Sequence, residues 1–273
     1  MLTLDLALIT YGSDGIDRVA RMYLPKHEGV RYIVSWQKSE NVEVPRELAE
    51  RDDVIICRTD TRGAAINRNN AIDRCTADII LFADDDIIYT DQSMPTVIRT
   101  FEQNPDLDLA CFKAIHPANP NFPKHECRLT DRLPKGYWVS SFEIAVRRTT
   151  LGGLRCHPDF GAGAPYFEGA DDSLFLLAAI RRGLNCRYFP VTICEHPQLS
   201  TGTLANQSSK ALRAQGCYIV LNYGLLESLL RIPLKAWRVW RARQSSLPRA
   251  LWHLTVGAFK APGVLRSGHK YLW

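Results

Sequence analysis

The sequence predicts an α/β protein: a mixed sheet flanked by helices, followed by a helical C-terminal appendage. Three observations carry this. Short apolar segments alternate with segments of helical length, an acidic triplet stands where one apolar segment ends, and the last quarter of the chain changes sharply in charge. With 273 residues, 46% of them hydrophobic and 23% charged, the chain is long enough to bury a sizeable core in one large α/β domain or in a domain with an appendage.

Apolar stretches at 4–9, 31–36, 53–57, 78–83 and 107–112 are short and mostly continuous, the pattern of strands covered on both faces of a largely parallel sheet. Helical lengths lie between them. In 63–75, Gly63 opens the segment, Ala64, Ile66, Ala71, Ile72 and Cys75 supply a buried side, and Arg68, Asn69 and Asn70 stay polar. After residue 113 the pattern changes: Pro117, Pro120, Pro123 and Pro134 break up a polar stretch read as a long loop over 114–137. A strand is expected at 138–147, then a Gly-rich turn at Phe160-Gly-Ala-Gly-Ala-Pro165. A helix over 171–182 stops at Gly183, a favoured residue just past a helix end. A short strand follows at 191–194, and no internal repeat is visible.

Eight cysteines are scattered without a C-x-x-C pair, which argues against a zinc or redox motif and for reduced, mostly buried thiols in a cytosolic protein. The N-terminus has no basic leader and Asp5 interrupts its apolar residues, so no secretory signal is expected. No apolar run is expected to span a membrane. Residues 1–204 hold 23 Lys and Arg against 28 Asp and Glu, whereas residues 205–273 hold 11 against one. The predicted division is therefore a domain at 1–204 and a basic helical region at 205–273.

The sequence Ile79-Ile-Leu-Phe-Ala-Asp-Asp-Asp-Ile-Ile88 places three carboxylates where a strand ends, the end at which open α/β sheets bind ligands. Adjacent carboxylates repel unless a cation or hydrogen-bond donors compensate them, and oxygen ligands select hard ions such as Mg2+ or Mn2+. A second acidic pair, Asp171 and Asp172, opens a helix. Carboxylates are ordinary there, yet the glycines of 161–169 before it can shape a mouth that presents a general base. His196 follows a strand, which makes it a candidate ligand. Arg68, near a helix start, is placed to add positive charge near an anionic ligand.

In order along residues 4–205, the chain shows Thr10-Tyr11-Gly12 after the first strand, Arg62-Gly-Ala-Ala-Ile-Asn-Arg-Asn-Asn-Ala71, the acidic triplet as a D-x-D motif, Phe160-Gly-Ala-Gly, Gly169-Ala-Asp-Asp and Glu195-His-Pro. This series resembles the inverting GT-A glycosyltransferases of family 2, in particular the small bacterial members that build surface polysaccharides. The resemblance implies a Rossmann-like nucleotide-binding GT-A fold. It also implies an enzyme that moves a hexosyl or related group from a nucleotide-sugar donor to a glycan or lipid-linked glycan acceptor, with Mn2+ or Mg2+ as cofactor. It assigns the metal to Asp84 and Asp86 with His196, the donor to Thr10, Tyr11, Arg68, Asp84, Asp85 and Asp171, and the catalytic base to Asp172. Two departures stand out: Asp171 replaces the family's Glu and Ala170 its usual Gly, and Ser35-Trp36-Gln37 lacks the Asp that binds the nucleotide base in many members.

The tail holds Trp237, Trp240, Trp252 and Trp273 among its basic residues. Helical spacing over 225–243 sets Leu226, Leu229, Leu230, Trp237 and Trp240 opposite Arg231, Lys235 and Arg238, with Pro233 expected to kink or split the helix. Such a helix suits an anionic membrane surface, giving an expected location on the inner face of the cell membrane as a peripheral protein. No nucleic-acid motif accompanies the charge. Two alternatives remain open at this stage, a sugar-nucleotidyltransferase and a non-catalytic sugar- or membrane-binding scaffold. Against the first, Tyr11-Gly-Ser-Asp-Gly15 lacks the basic character of a phosphate loop.

Overall fold

The computed structural model describes residues 1–115, 121–196, 208–267 and 271. Pro117, Pro120, Trp273 and the expected boundary between 204 and 205 lie outside the described residues. These residues form two compact units.

The first unit comprises 1–62, 66–153 and 182–196. It is built on one eight-stranded mixed sheet in the order β3-β2-β1-β4-β7-β5-β8-β6. The strands are β1 (Leu4–Tyr11), β2 (Val30–Gln37), β3 (Val54–Thr59), β4 (Ile79–Asp84), β5 (Leu109–Ile115), β6 (Cys127–Arg128), β7 (Ile144–Arg147) and β8 (Cys186–Glu195). β1, β2, β3 and β4 pair in parallel, as their mostly continuous apolar runs suggest, and β5 runs parallel to β8. β7 lies antiparallel between β4 and β5 and makes the sheet mixed. Helices α1 (Gly12–Arg21), α2 (Arg46–Ala49), α3 (Ala64–Arg74) and α4 (Ser93–Gln103) connect the first five strands. Leu6, Leu8, Tyr32, Trp36, Leu81, Met94 and Phe101 belong to the core. Asp5 is also fully buried; it accepts two hydrogen bonds from Arg31 and one each from the backbone of Thr76 and Ala77, so the charge that interrupts the first apolar run is a tie between β1, β2 and the turn before β4.

Two sequence expectations are corrected here. The strand expected at 138–147 is a strand only from Ile144, because Ser141–Glu143 form a 3-10 turn closed by a capping box between Ser140 and Glu143, an S-x-x-E pattern that satisfies backbone donors locally. The loop expected over 114–137 is shortened by β5, which runs to Ile115, and interrupted by β6.

The second unit contains Gly63–Ala65, Leu154–Arg181 and the C-terminal helices. α5 (Asp171–Arg181) ends just before Gly183, as its sequence predicts. α6 (Ser209–Arg241) and α7 (Leu247–Ser267) follow. Phe160, Phe167, Leu174, Leu177, Cys217, Leu221 and Val264 form one apolar cluster, and Leu212, Ile232, Ala236, Val239, Ala250 and Leu254 another. A straight helix would hold residues 212 and 232 about 30 Å apart, so their shared cluster requires α6 to turn back. It does so at Gly224, with φ 75° and ψ 173°, and not at Pro233, because glycine alone reaches that backbone conformation without cost. Arg181 donates to the carbonyls of Leu221 and Asn222, next to the break. α6 meets α7 backbone to backbone: a Cβ on Gly216 would lie 1.9 Å from the carbonyl oxygen of Leu254, and one on Gly257 2.0 Å from that of Arg213.

The expectation that no segment could span a membrane also changes. By length and composition alone α6 is long and apolar enough to cross one.

All eight cysteines are unpaired thiols, six of them buried, and burial pushes Cys186 and Cys217 up to about 12.

Candidate active site

In the first unit the carboxyl ends of β1 and β4 sit side by side, with Ile9 opposite Asp84. The three adjacent carboxylates are separated by their partners. Asp84 accepts from Arg68 at 3.1 Å and from the Ser141 hydroxyl at 3.0 Å. Asp85 turns the other way, accepting from the Thr10 hydroxyl at 2.6 Å and from Arg18 at 3.0–3.2 Å through both its oxygens. Burial raises the Asp85 carboxyl above the usual carboxylate range, opposed by the Thr10 and Arg18 hydrogen bonds, while the bond to Asp85 raises the Arg18 guanidinium. Asp86 faces His196, with 3.3 Å between Oδ2 and Nε2.

This third pairing is set by the backbone. Ile88 and Glu195 exchange both backbone hydrogen bonds at 2.9 Å, which fastens the chain leaving the triplet to the end of β8. His196 is the next residue, and its own N–H donates to Ile115. Its ring stacks on Phe142 at 5.2 Å, and only 3% of the residue is exposed.

These residues fit a divalent ion. Asp86 Oδ1 is buried with no hydrogen-bond partner, a costly state for a carboxylate oxygen, and one carboxylate with one imidazole is a donor set that Mn2+ accepts. Among the described residues no group of three or more His, Cys, Asp or Glu is arranged to hold a metal ion. An ion held by one or two side chains completes its coordination with water and substrate phosphates.

Of the other expected donor-binding residues, Thr10 is buried and bonded to Asp85, and Tyr11 is exposed with the Lys38 ammonium 5.6 Å from its ring centre. Arg68 was expected on the polar side of its helix, yet it is 3% exposed and sits over Phe82 as well as beside Asp84. The neighbouring Asn67 is buried too and bridges β1 and β2, donating to Thr10 O and accepting from Ser35. Ser35, Trp36 and Gln37 are all buried.

In the second unit Gly161, at φ 99°, lies against Asp171: a Cβ there would come within 2.9 Å of its carboxyl carbon. Asp171 is buried and Asp172 half-buried. Ala162 accepts from the N–H of Ala64, which fixes the Gly-rich turn. Ala170 adopts φ 64°, the left-handed region that favours glycine, at the position where the resembled family usually has one.

Sequence reasoning missed Ser141 and Arg18. The capping box around Ser140 was the available signal for the first. For the second it was Gly15, where a Cβ would lie 2.2 Å from the Thr10 hydroxyl oxygen; its absence lets α1 close on the strand end.

Residues 37–163 match the family described as Glycosyl transferase family 2, a span that includes Arg68, the acidic triplet and Ser141. Asp171, Asp172 and His196 lie beyond it. Among solved structures, S. aureus TarS matches with a TM-score of 0.56 at 14% identity, covering 86% of this chain and 42% of that one. TarS 1–349 in complex with UDP-GlcNAc matches with 0.56 at 12% identity, covering 98% and 92%. A mycobacterial protein matches with 0.54 at 15% identity, covering 82% and 75%. The chain thus spans well under half of the first of these and most of the other two. No curated protein sequence matches it closely. Residues 37–163 thus resemble a family 2 glycosyltransferase domain, and the chain shares the GT-A fold of these solved structures.

Proposed function

We propose that the protein is an inverting, metal-dependent glycosyltransferase that uses a nucleotide-sugar donor and acts on a glycan or glycolipid acceptor in cell-surface polysaccharide synthesis. The observation that carries the metal-dependent part is the Asp86–His196 pair with its unpartnered buried oxygen. Donor chemistry is supported by the relatives: TarS 1–349 is described in complex with UDP and with UDP-GlcNAc, which makes a uridine diphosphate sugar the first donor to test.

Asp86 and His196 would hold the ion, with Asp84 nearby, and a bound ion would supply Lewis-acid stabilisation of charge on the departing diphosphate. Arg68 fixes the orientation of Asp84 and keeps a positive charge at the strand end. Asp172 takes the proton from the acceptor hydroxyl as that oxygen attacks the anomeric carbon on the face opposite the leaving group, and a single displacement inverts the configuration. We also assign the enzyme to the inner face of an anionic membrane through its basic C-terminal helices, where the acceptor is lipid-linked.

The test is a thermal-shift screen of nucleoside diphosphates and nucleotide sugars with and without Mn2+, since a ligand selective for the folded state raises apparent stability. It is followed by calorimetry and transfer assays on variants. Asp86→Asn is expected to weaken Mn2+-linked donor binding, and His196→Ala to do the same. Asp172→Asn is expected to bind donor nearly normally and lose transfer, because loss of a base acts on the chemical step. Wild-type metal dependence in Asp86→Asn sinks the metal assignment, and full transfer by Asp172→Asn sinks the base.

A further inference from the structure

Beyond Gly224, α6 shows three distinct faces. Ser228, Ile232, Ala236 and Val239 are buried, the last three in the cluster that includes Ala250 and Leu254 of α7. Leu226, Leu229, Leu230, Leu234, Trp237 and Trp240 recur at spacings of three and four and make a continuous exposed stripe, with Leu226 82% and Leu230 79% accessible. Arg231, Arg238 and Arg241 border that stripe, and the Arg241 guanidinium lies 5.2 Å from the Trp237 ring centre. α7 exposes Trp252 and Phe259 in addition.

An apolar stripe of this length on a helix already held by its other face is a surface awaiting a partner, and its chemistry selects among partners. Residues 208–267 hold ten Lys and Arg against one Glu. In a two-fold contact between copies the same patch meets itself, so the arginine border would face its own like charge. An anionic bilayer offers the opposite charge to the arginines and hydrocarbon to the leucines. Tryptophans belong at headgroup depth, and both lie towards the C-terminal end of the stripe, beside Arg238 and Arg241.

A transmembrane path through α6 is disfavoured by the same structure. The apolar residues of its first half, Leu212, Cys217 and Leu221, are committed to the unit's own clusters, and the backbone is non-helical at the exposed Gly224. Lipid-exposed irregular backbone is not tolerated in the hydrocarbon region.

We infer that the stripe Leu226–Trp240 is an insertion ridge that lies in the plane of an anionic bilayer, with its leucines below the headgroups and Arg231, Arg238 and Arg241 at them. This rests on the membrane attachment proposed above and replaces a purely electrostatic contact by apolar insertion that salt does not remove. The test is co-sedimentation of the full chain with phosphatidylglycerol-containing and with pure phosphatidylcholine vesicles at low and high salt. Three proteins are compared: wild type, Leu226→Glu with Leu230→Glu, and Arg238→Gln with Arg241→Gln. Wild type is expected to bind anionic vesicles and to keep part of that binding at high salt. The leucine variant is expected to lose at least tenfold at both salts while its melting temperature stays at the wild-type value, because both side chains are already exposed. The arginine variant is expected to lose mainly at low salt. Brominated acyl chains are expected to quench the wild-type tryptophan emission. Wild-type binding by the leucine variant overturns the ridge but leaves membrane attachment standing; absence of binding by wild type overturns both. A wild-type dimer in sedimentation that the leucine substitutions dissolve, without vesicle binding, assigns the stripe to a second copy instead. Nucleotide-sugar hydrolysis, followed in parallel, reports on the transferase reading independently of all three outcomes.

Discussion

Replacing Arg68 by Met tests whether the ion pair at the end of β4 holds the acidic triplet together. The guanidinium is 3% exposed and its partner Asp84 30% exposed at the side chain, with 3.1 Å between them. Removing one member of a fully buried pair costs about 3–5 kcal/mol because a charge is left uncompensated. Asp84 keeps partial access to water and the Ser141 hydroxyl at 3.0 Å, so the expected cost is lower, about 2–3 kcal/mol. For a chain of this size that is a fall in melting temperature of about 4–12 °C. Asp84→Asn in the same background should recover part of the loss, giving a coupling of about 1–2 kcal/mol in a double-mutant cycle. Chemical denaturation of the four proteins measures both quantities, and calorimetry with donor and Mn2+ follows binding alongside. A cost for Arg68→Met below about 0.5 kcal/mol, the range of ordinary surface substitutions, with no coupling to Asp84, refutes the reasoning and returns Arg68 to the role of a bystander.

Two further perturbations read other parts of the fold. Ala170→Gly places at φ 64° the residue for which that conformation is free; relief of about 1–2 kcal/mol of left-handed strain, less about 0.4–1 kcal/mol of added unfolded-state entropy, predicts a rise in melting temperature, and a fall would show that the Ala170 methyl makes packing contacts worth more than its strain. His157 is buried edge-on against Phe160, and burial lowers its imidazole below the ordinary value. The unfolded chain therefore takes the proton first as pH falls below about 6.5, so this contribution is complete above that pH and is lost on acidification, by at most about 1.4 kcal/mol per pH unit. Melting curves at pH 7.5 and 5.5 should show a smaller acid loss in His157→Gln than in wild type, and parallel losses would exclude His157 as the titrating group.

What the sequence made legible follows from where the physics is local. Runs such as Ile79–Ala83 announce a buried parallel strand, and an acidic cluster directly after one announces a ligand end, because both signals lie within a few consecutive residues. The helix of 171–182 was legible for the same reason, having carboxylates at its start and Gly183 past its end. The 3-10 turn at Ser141–Glu143 was hidden because the apolar residues around it also fit a strand, and only the Ser140–Glu143 box distinguishes the two. Arg68 could not be placed by helical periodicity, since its burial depends on Asp84, sixteen residues away and on another element. Gly224 and Pro233 both qualify as helix breakers by composition. The choice between them is tertiary: the break falls where the second half of α6 can return onto α7.

The triplet shows how a strand end sorts adjacent side chains. β4 ends at Asp84, and Asp85 and Asp86 lie in the turn that follows, so three adjacent carboxylates reach different partners. Asp84 is drawn to Arg68 and Ser141, and Asp86 to His196, whereas Asp85 turns back onto Thr10 and Arg18. Each carboxylate thus has its own partner within the protein. Both oxygens of Asp85 are engaged, so a donor contact through Asp85 or through the Thr10 hydroxyl requires those bonds to be exchanged. Asp86 differs from its neighbours in keeping Oδ1 buried and unmatched. Of the three it is the one whose buried oxygen has no partner within the protein, and the metal assignment proposed above rests on it.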